Sequence, residues 1–479
     1  MFLRQITDPS LAQNAYLIGC QRSGEAIVID PERDLDRYFA VAAENNLRIT
    51  AVAETHIHAD YLSGARELVQ RHGVTAYLSG EGGPDWQFEW AKGNPKARFL
   101  RDGDTFRVGN ISFQAVHSPG HTPEHLSFLV TDHGGGADEP IALLSGDFLF
   151  VGDVGRPDLL ESAAGQTGVM EPSARTLYES LRRTSALPEH LQILPAHGAG
   201  SACGKALGAV PVSVLGYERR FNGALRSALH EAADEFVKDI LAGQPEPPLY
   251  FARMKRDNRL GPPLLPDGEL PKPLPIRVDQ IGEWIGMAGR TVLDLRSDRK
   301  AFMNRHLRGS LYAPLAGGKL PLSAGSYVGE GSKILLVLES ESQLDEAVRQ
   351  LVRIGLDEVV AWIPALEAMQ ADGFTSSIPR MQTADLADAL AEDPGALVLD
   401  VRGADEFASG HVDGAVNIAY TRLAARLAEL PDRRPVYVHC GSGLRASMAA
   451  AYLASRDIDV VHVDGNYGDI RTSCALPGS

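Results

Sequence analysis

Six side chains able to bind a divalent metal fall at the ends of apolar, strand-like runs. His56, His58 and Asp60 lie in Glu54-Thr55-His56-Ile57-His58-Ala59-Asp60-Tyr61, straight after Ile49-Thr50-Ala51-Val52-Ala53. His121 lies in His117-Ser118-Pro119-Gly120-His121-Thr122-Pro123-Glu124-His125, Asp147 follows Ile141–Gly146, and His197 follows Leu191–Ala196. Imidazole nitrogen and carboxylate oxygen suit zinc, iron or manganese. Two histidines and one carboxylate with open positions suit oxygen-activating Fe(II). A single His-x-His is more often a pair of solvated loop histidines. Four strand ends in succession, each offering a metal-competent group, form a pattern.

A second chemistry lies in His439-Cys440-Gly441-Ser442-Gly443-Leu444-Arg445, between a strand-like Pro435–His439 and a helical Ala446–Ser455. Backbone N–H groups of such a loop, with the positive end of the following helix, stabilise a thiolate and then a persulfide on Cys440. Arg445 adds positive charge. The other cysteines, Cys20, Cys203 and Cys474, form no CxxC pair or disulfide framework, which points to a reducing cytoplasm. Cys203 reads as a small buried residue, with a reactive thiol near the site as the alternative, and Cys474 as incidental.

The elements that must position these groups alternate along the chain. Short strands and helices up to about Gln244 deliver the metal-competent side chains into loops. Residues 246–275 are rich in proline, carry Arg253, Lys255 and Arg256, and read as a linker. Beyond it lies an internal repeat. Thr291-Val292-Leu293-Asp294-Leu295-Arg296 recurs as Leu397-Val398-Leu399-Asp400-Val401-Arg402, and Phe302-x3-His306-x2-Gly309 as Phe407-x3-His411-x2-Gly414. Its period of a little over a hundred residues suits tandem domains rather than a solenoid. Alternating strands and helices imply a parallel sheet in each. The expected division is 1–245, a linker 246–275, then 276–375 and 380–477.

A length of 479 residues agrees with about three domains. The net charge of −16 argues against nucleic acid, whose phosphates demand a basic face, but leaves small anions open. No apolar run is long enough for a bilayer. The first residues lack a basic stretch followed by an apolar one, so no secretory signal is read and the expected location is cytoplasmic. Loose multidomain chains of this kind often pair, and a homodimer is expected.

Over residues 1–245 the histidine and aspartate series resembles the metallo-β-lactamase superfamily, whose pattern is His-x-His-x-Asp-His, then Gly-His, an aspartate and a final histidine. The resemblance implies an αββα sandwich with metal at the sheet edges. Tyr61 stands where binuclear members carry a further histidine, and a phenol is a poor ligand, so one metal is expected rather than two. Within the superfamily the phrases around His56 and His121, with Gly152-Asp153-Val154-Gly155-Arg156-Pro157-Asp158 and 197–205, resemble persulfide dioxygenases. That likeness implies one Fe(II) per chain on His56, His121 and Asp147. His58, Asp60, Tyr61 and His197 then shape the surroundings or hold water. It implies oxidation of a low-molecular-weight thiol persulfide by O2 to thiol and sulfite. Arg156 either meets the anionic end of the carrier or forms a structural pair with Asp153 or Asp158.

Residues 380–477 resemble the rhodanese family through Asp400-Val401-Arg402, Glu406-Phe407, Gly410-His411 and the Cys440 loop. The likeness implies sulfur transfer through a Cys440 persulfide assisted by Arg445, with sulfite and thiosulfate as partners. Its Cys-x4-Arg spacing is one residue shorter than the related phosphatase loop. Residues 276–375 keep the framework but place Glu339 where Cys440 sits, so an inactive module is expected. The rival expectation is a zinc-dependent thioester hydrolase of the glyoxalase II type with a sulfurtransferase domain.

Overall fold

The computed structural model describes residues 1–159, 168–201, 203–205, 207–432 and 434–473; Cys474 lies outside them. The chain forms two compact units. One comprises Met1–Pro247 and Phe251–Glu269 with the short segment Arg353–Gly355; the other comprises Pro248–Tyr250, Leu270–Val352 and the chain from Leu356 onward.

The first unit contains two six-stranded sheets. One runs in simple order through β1 (Phe2–Asp8), β2 (Gln13–Cys20), β3 (Glu25–Ile29), β4 (Arg48–Ala53), β5 (Thr75–Ser79) and β6 (Ala97–Leu100). The other comprises β7 (Thr105–Val108), β8 (Ile111–His117), β9 (Leu126–Asp132), β10 (Ala142–Gly146), β11 (Gln192–Pro195) and β12 (Ser213–Val214), also in chain order from one edge to the other. The inner strands are buried on both faces, and the period of two divides their side chains. Ala15 and Leu17 of β2 pack outward with the helices Asp36–Glu44 and Ala65–His72, while Tyr16, Ile18 and Cys20 point inward. The inward set meets Phe113, Phe128, Val130, Leu144 and Leu194 of the second sheet. The outer face of that sheet packs Leu143 and Ile193 against Leu177 and Leu181 of the helix Met170–Arg183. The layers are helix, sheet, sheet, helix, as the αββα expectation states.

The segment expected to be a linker holds a helix, Tyr250–Leu260. Phe251, Met254 and Asn258 are buried on one face of it, so a helical spacing of apolar residues was present among the prolines, which flank rather than interrupt it.

The second unit contains two sheets of one design. The first has the order β13 (Leu274–Pro275), β18 (Val359–Pro364), β17 (Lys333–Leu338), β14 (Arg290–Asp294), β16 (Leu311–Tyr312), and every pairing is parallel. A small antiparallel pair, β15 (His306–Leu307) with β19 (Thr375–Ser376), accompanies it. The second has the order β20 (Arg380–Gln382), β24 (Val460–Asp464), β23 (Val436–His439), β21 (Leu397–Asp400), β22 (Val416–Asn417), again all parallel. The repeat reaches individual bonds. Arg296 grips Asp294 and the Arg305 carbonyl, while Arg402 grips Asp400 and the Gly410 carbonyl. His306 and His411 stack on Phe302 and Phe407, and each ring Nδ1 bonds the carbonyl of that phenylalanine. Among the described residues no helix is long and apolar enough to cross a membrane.

Candidate active site

The loops after β4, β8, β10 and β11 bring His56, His121, Asp147 and His197 to one end of the sandwich. His56 and His121 direct Nε2 toward Asp147 Oδ2, at 4.0 and 3.5 Å. All three side chains are buried, and their donor atoms lie within 4.8 Å of one another. The tautomers are set from behind. His121 Nδ1 is 3.0 Å from the Arg156 carbonyl, which can only accept, so Nδ1 carries the proton and Nε2 a free lone pair. His56 Nδ1 is 3.0 Å from Thr55 Oγ1, and Thr55 donates to Asp30 Oδ2 at 2.9 Å, so the ring proton again sits on Nδ1. Burial, reinforced by the neighbouring histidines, holds His56 well below the ordinary range, and burial lowers His121 to about 4. Both rings are therefore neutral at physiological pH and able to ligate.

Asp147 supplies the charge. Its two carboxylate oxygens are buried, the weak Cys203 thiol donor offsets little of that, and burial lifts the group to about 6. A buried carboxylate with so weak a donor is costly; a cation between two imidazole nitrogens removes that cost. The donor set fits a divalent metal. The turn presenting Asp147 depends on Gly146, at φ +53°, where a Cβ would lie 2.5 Å from His125 Nε2. His125 in turn accepts the Asp147 backbone N–H at 3.0 Å.

His58 and Tyr61 turn toward Asp30 instead of this centre. His58 Nε2 lies 3.2 Å from both Asp30 Oδ1 and Glu54 Oε2. Burial alone would lower its pKa, but the two carboxylates more than offset that and raise it well above the usual value. Tyr61 is buried and donates its hydroxyl to the Asp30 carbonyl at 3.1 Å. Burial and the surrounding carboxylates keep this phenol protonated.

Asp60 and His197 stay beside Asp147. His197 Nε2 is 3.3 Å from Asp60 Oδ2 and 3.5 Å from Asp147 Oδ1. With Cys203 they form a further buried group of donor atoms within 4.8 Å. Burial and the Asp60 and Asp147 carboxylates push the Cys203 thiol well above its usual value, which favours the neutral thiol. A cavity of about 380 Å³ opens over His197, lined also by Gln5, Thr7 and Asn14; its size suits a small molecule.

Arg156 is tied into the protein. Its guanidinium is buried, forks onto Asp158 at 2.8 and 2.6 Å, and donates to the Pro245 carbonyl. Of the two expectations for Arg156, the pair with Asp158 is the one whose contacts are present.

Several contributors were not singled out from sequence. Asp30 and Glu54 each follow a strand directly, the signal used for Asp147. Glu124 accepts the Ile57 N–H at 2.8 Å from within the His121 loop. Asn258, in the supposed linker, donates to the carbonyls of His58 and Tyr61 at 2.8 and 2.7 Å and accepts the Ser63 N–H at 2.8 Å.

In the second unit Cys440 follows β23 and is buried. Its Sγ accepts from the N–H groups of Gly443 at 3.2 Å and Ala446 at 3.4 Å. Arg445 is engaged by Glu406 through two bonds of 2.5 and 2.8 Å. At the matching point of the first repeat, Glu339 accepts from Ser297 N–H and Oγ, and these bonds hold its carboxyl below the usual value.

Residues 9–197 match the family model of the metallo-beta-lactamase superfamily, and residues 383–472 that of the rhodanese-like domain. The persulfide dioxygenase ETHE1 of Bos taurus is 30% identical over 244 residues, covering 50% of this chain and 80% of its own. The chain belongs to the metallo-beta-lactamase superfamily. Within it, the Homo sapiens ETHE1 persulfide dioxygenase is 30% identical over 202 residues, 41% of this chain and 68% of its own. A solved metallo-beta-lactamase structure from Staphylococcus aureus subsp. aureus COL aligns with TM-score 0.66 and 37% identity over 76% of this chain and 99% of that one. That span is wider than the superfamily match. The superfamily fold, with its buried donor groups, implies a metal.

Proposed function

We propose that the chain is a persulfide dioxygenase joined to a sulfurtransferase. Its first site oxidises a low-molecular-weight thiol persulfide, R-S-SH + O2 + H2O giving R-SH and sulfite with release of two protons. One Fe(II) is held by His56, His121 and Asp147. Bound there, ferrous iron supplies the redox chemistry and adjacent open positions that oxidation of sulfur by O2 requires. The chain's own part is to keep two lone pairs aimed inward through the Arg156 carbonyl and Thr55, and to exclude bulk water by burial. At the second site a sulfane sulfur rides on Cys440; sulfite attacks it, the S–S bond breaks, and thiosulfate leaves with the Cys440 thiolate restored. Residues 276–375 form a rhodanese-like module without a nucleophile, since the Glu339 carboxylate cannot carry sulfur.

The observation that carries this reading is the division within one motif. His56 faces Asp147, whereas His58 and Tyr61 are committed to Asp30, and His56, His121 and Asp147 form one group of donor atoms. The relatives named persulfide dioxygenase support it. The test is metal analysis of anaerobically purified protein, followed by oxygen uptake with glutathione persulfide. One iron per chain and sulfite formation are expected.

The group Asp60, His197 and Cys203 favours a second reading, a two-metal thioester hydrolase. The hydroxyacylglutathione hydrolase of Actinobacillus pleuropneumoniae serotype 3 is 29% identical over 40% of this chain and 67% of its own. Two zinc ions per chain, with cleavage of an acyl-glutathione thioester and no oxygen uptake, would replace the first reading.

A further inference from the structure

Arg299 belongs to the repeat that lacks a cysteine, yet its side chain ends at the Cys440 loop. It opens the helix Arg299–Asn304 beside β14. Its Nε and Nη2 bond Asp464 Oδ1 at 3.0 and 2.8 Å, and Nη2 also donates to the Ser442 carbonyl at 3.2 Å. Asp464, at the end of β24, is 3% exposed and holds the guanidinium in place. The two repeats are also joined nearby: Tyr327 stacks on Tyr452 and donates to the Tyr420 carbonyl at 2.7 Å.

The Ser442 carbonyl and the Gly443 N–H belong to one planar trans peptide group and point in opposite directions. A donor that holds the carbonyl outward therefore turns the N–H inward. That N–H is the shorter of the two on Cys440 Sγ, at 3.2 Å. The next peptide is held in the same manner, with His462 Nε2 2.9 Å from the Gly443 carbonyl. Gly443 has φ +87°, and a Cβ there would lie 2.5 Å from Asp464 Oδ1, so the loop accepts only glycine at this point. Arg445 is already engaged by Glu406, which leaves the loop amides as the donors in direct contact with the sulfur.

We infer that Arg299 is a positioning residue for Cys440: the repeat without a nucleophile orients the Ser442–Gly443 peptide that cradles the sulfur of the other. The inference rests on the reading of Cys440 as a sulfur carrier. It gives the Glu339 repeat a part in sulfur transfer although it carries no sulfur.

The test uses the full chain with Arg299→Ala, Arg299→Lys and Asp464→Ala. Two quantities are read: Cys440 alkylation by iodoacetamide at neutral pH, followed by peptide mass spectrometry, and thiocyanate formation from thiosulfate and cyanide. Loss of one hydrogen bond to a charged sulfur predicts about a fivefold fall in alkylation rate and in kcat for Arg299→Ala, with KM unchanged. Arg299→Lys keeps a charged donor and recovers at least half of the rate. Thermal melting and oxygen uptake stay at wild-type values. Wild-type alkylation and kcat in Arg299→Ala overturn the inference. Should Arg299→Ala melt early, Asp464→Ala, which removes the acceptor of both guanidinium bonds, decides: a wild-type alkylation rate in a normally melting Asp464→Ala overturns it as well. If the wild type forms no thiocyanate, the carrier reading of Cys440 fails, and the alkylation rates still judge Arg299.

Discussion

His58 turns its Nε2 to Asp30 Oδ1, 3.2 Å away, although it stands two residues from His56, whose Nε2 faces Asp147. The aspartate after β3 thus captures a histidine that the motif alone assigns to a metal. Asp30 also accepts the Thr55 N–H at 2.7 Å and the Thr55 hydroxyl that backs His56. One buried carboxylate thereby orients one histidine inward and holds the next outward.

Replacing Asp30 with asparagine preserves the shape and removes the counter-charge of a buried histidine. Breaking a buried pair in this way costs about 3–5 kcal/mol. Glu54 Oε2 remains 3.2 Å from His58, so the expected loss lies toward the lower figure. Urea denaturation of Asp30→Asn against wild type measures it.

Tyr61→His tests the metal count. The phenol donates to the Asp30 carbonyl and fills a fully buried site. A histidine there restores the residue type that the binuclear pattern carries at this position. Zinc bound per chain, measured after dialysis against excess zinc, is expected to rise from one toward two. His121→Ala is expected to lower bound metal at least tenfold, at or beyond the about 10–100-fold typical of losing a group that merely supports a ligand.

Asn258 ties the helix Tyr250–Leu260 to the turn after β4 with all three of its bonds under 3 Å. Asn258→Ala leaves two carbonyls and one N–H of that turn without their partner. A destabilisation of about 2–4 kcal/mol is expected from orphaned buried groups. Metal affinity is expected to fall with it, read by competition with a chelator. Asn258→Asp keeps an acceptor for Ser63 but loses both donors, and is expected to be little better.

Cys440→Ser separates the two chemistries. Thiocyanate formation is expected to vanish, while oxygen uptake with glutathione persulfide continues at the wild-type rate. Equal loss of both would show that the sites depend on each other.

The Glu406–Arg445 pair gives a pH signature. The Arg445 bonds hold the Glu406 carboxyl below its ordinary value. A folded pKa below the unfolded one contributes stability above the unfolded value, about pH 4.3, and loses it as pH falls through the folded value. The melting difference between wild type and Glu406→Gln is therefore expected to be constant near neutrality and to close below about pH 4. It is expected to be small, because both side chains are part exposed.

Chain order and residue type alone indicated strands that end in metal-competent side chains and a repeated parallel sheet, because apolar runs make strands and a repeated sequence makes a repeated sheet; the αββα layering and the set His56, His121 and Asp147 came from the family resemblance. The sequence also marked Cys440 and the glutamate that replaces it, because a nucleophile is legible in one residue. What tertiary structure decided is which neighbour each side chain chose. His56 and His58 are the same residue type in one loop, and only Asp30, brought in by β3, divides them. Asp158 is the partner that Arg156 takes of the two the sequence offered, and Glu406 is the one that engages Arg445. Asn258 and Arg299 were invisible because their partners lie about two hundred and one hundred and forty residues away. No periodicity or local spacing encodes a contact made through folding at that distance; it exists only once the sheets are stacked and the loops share an edge.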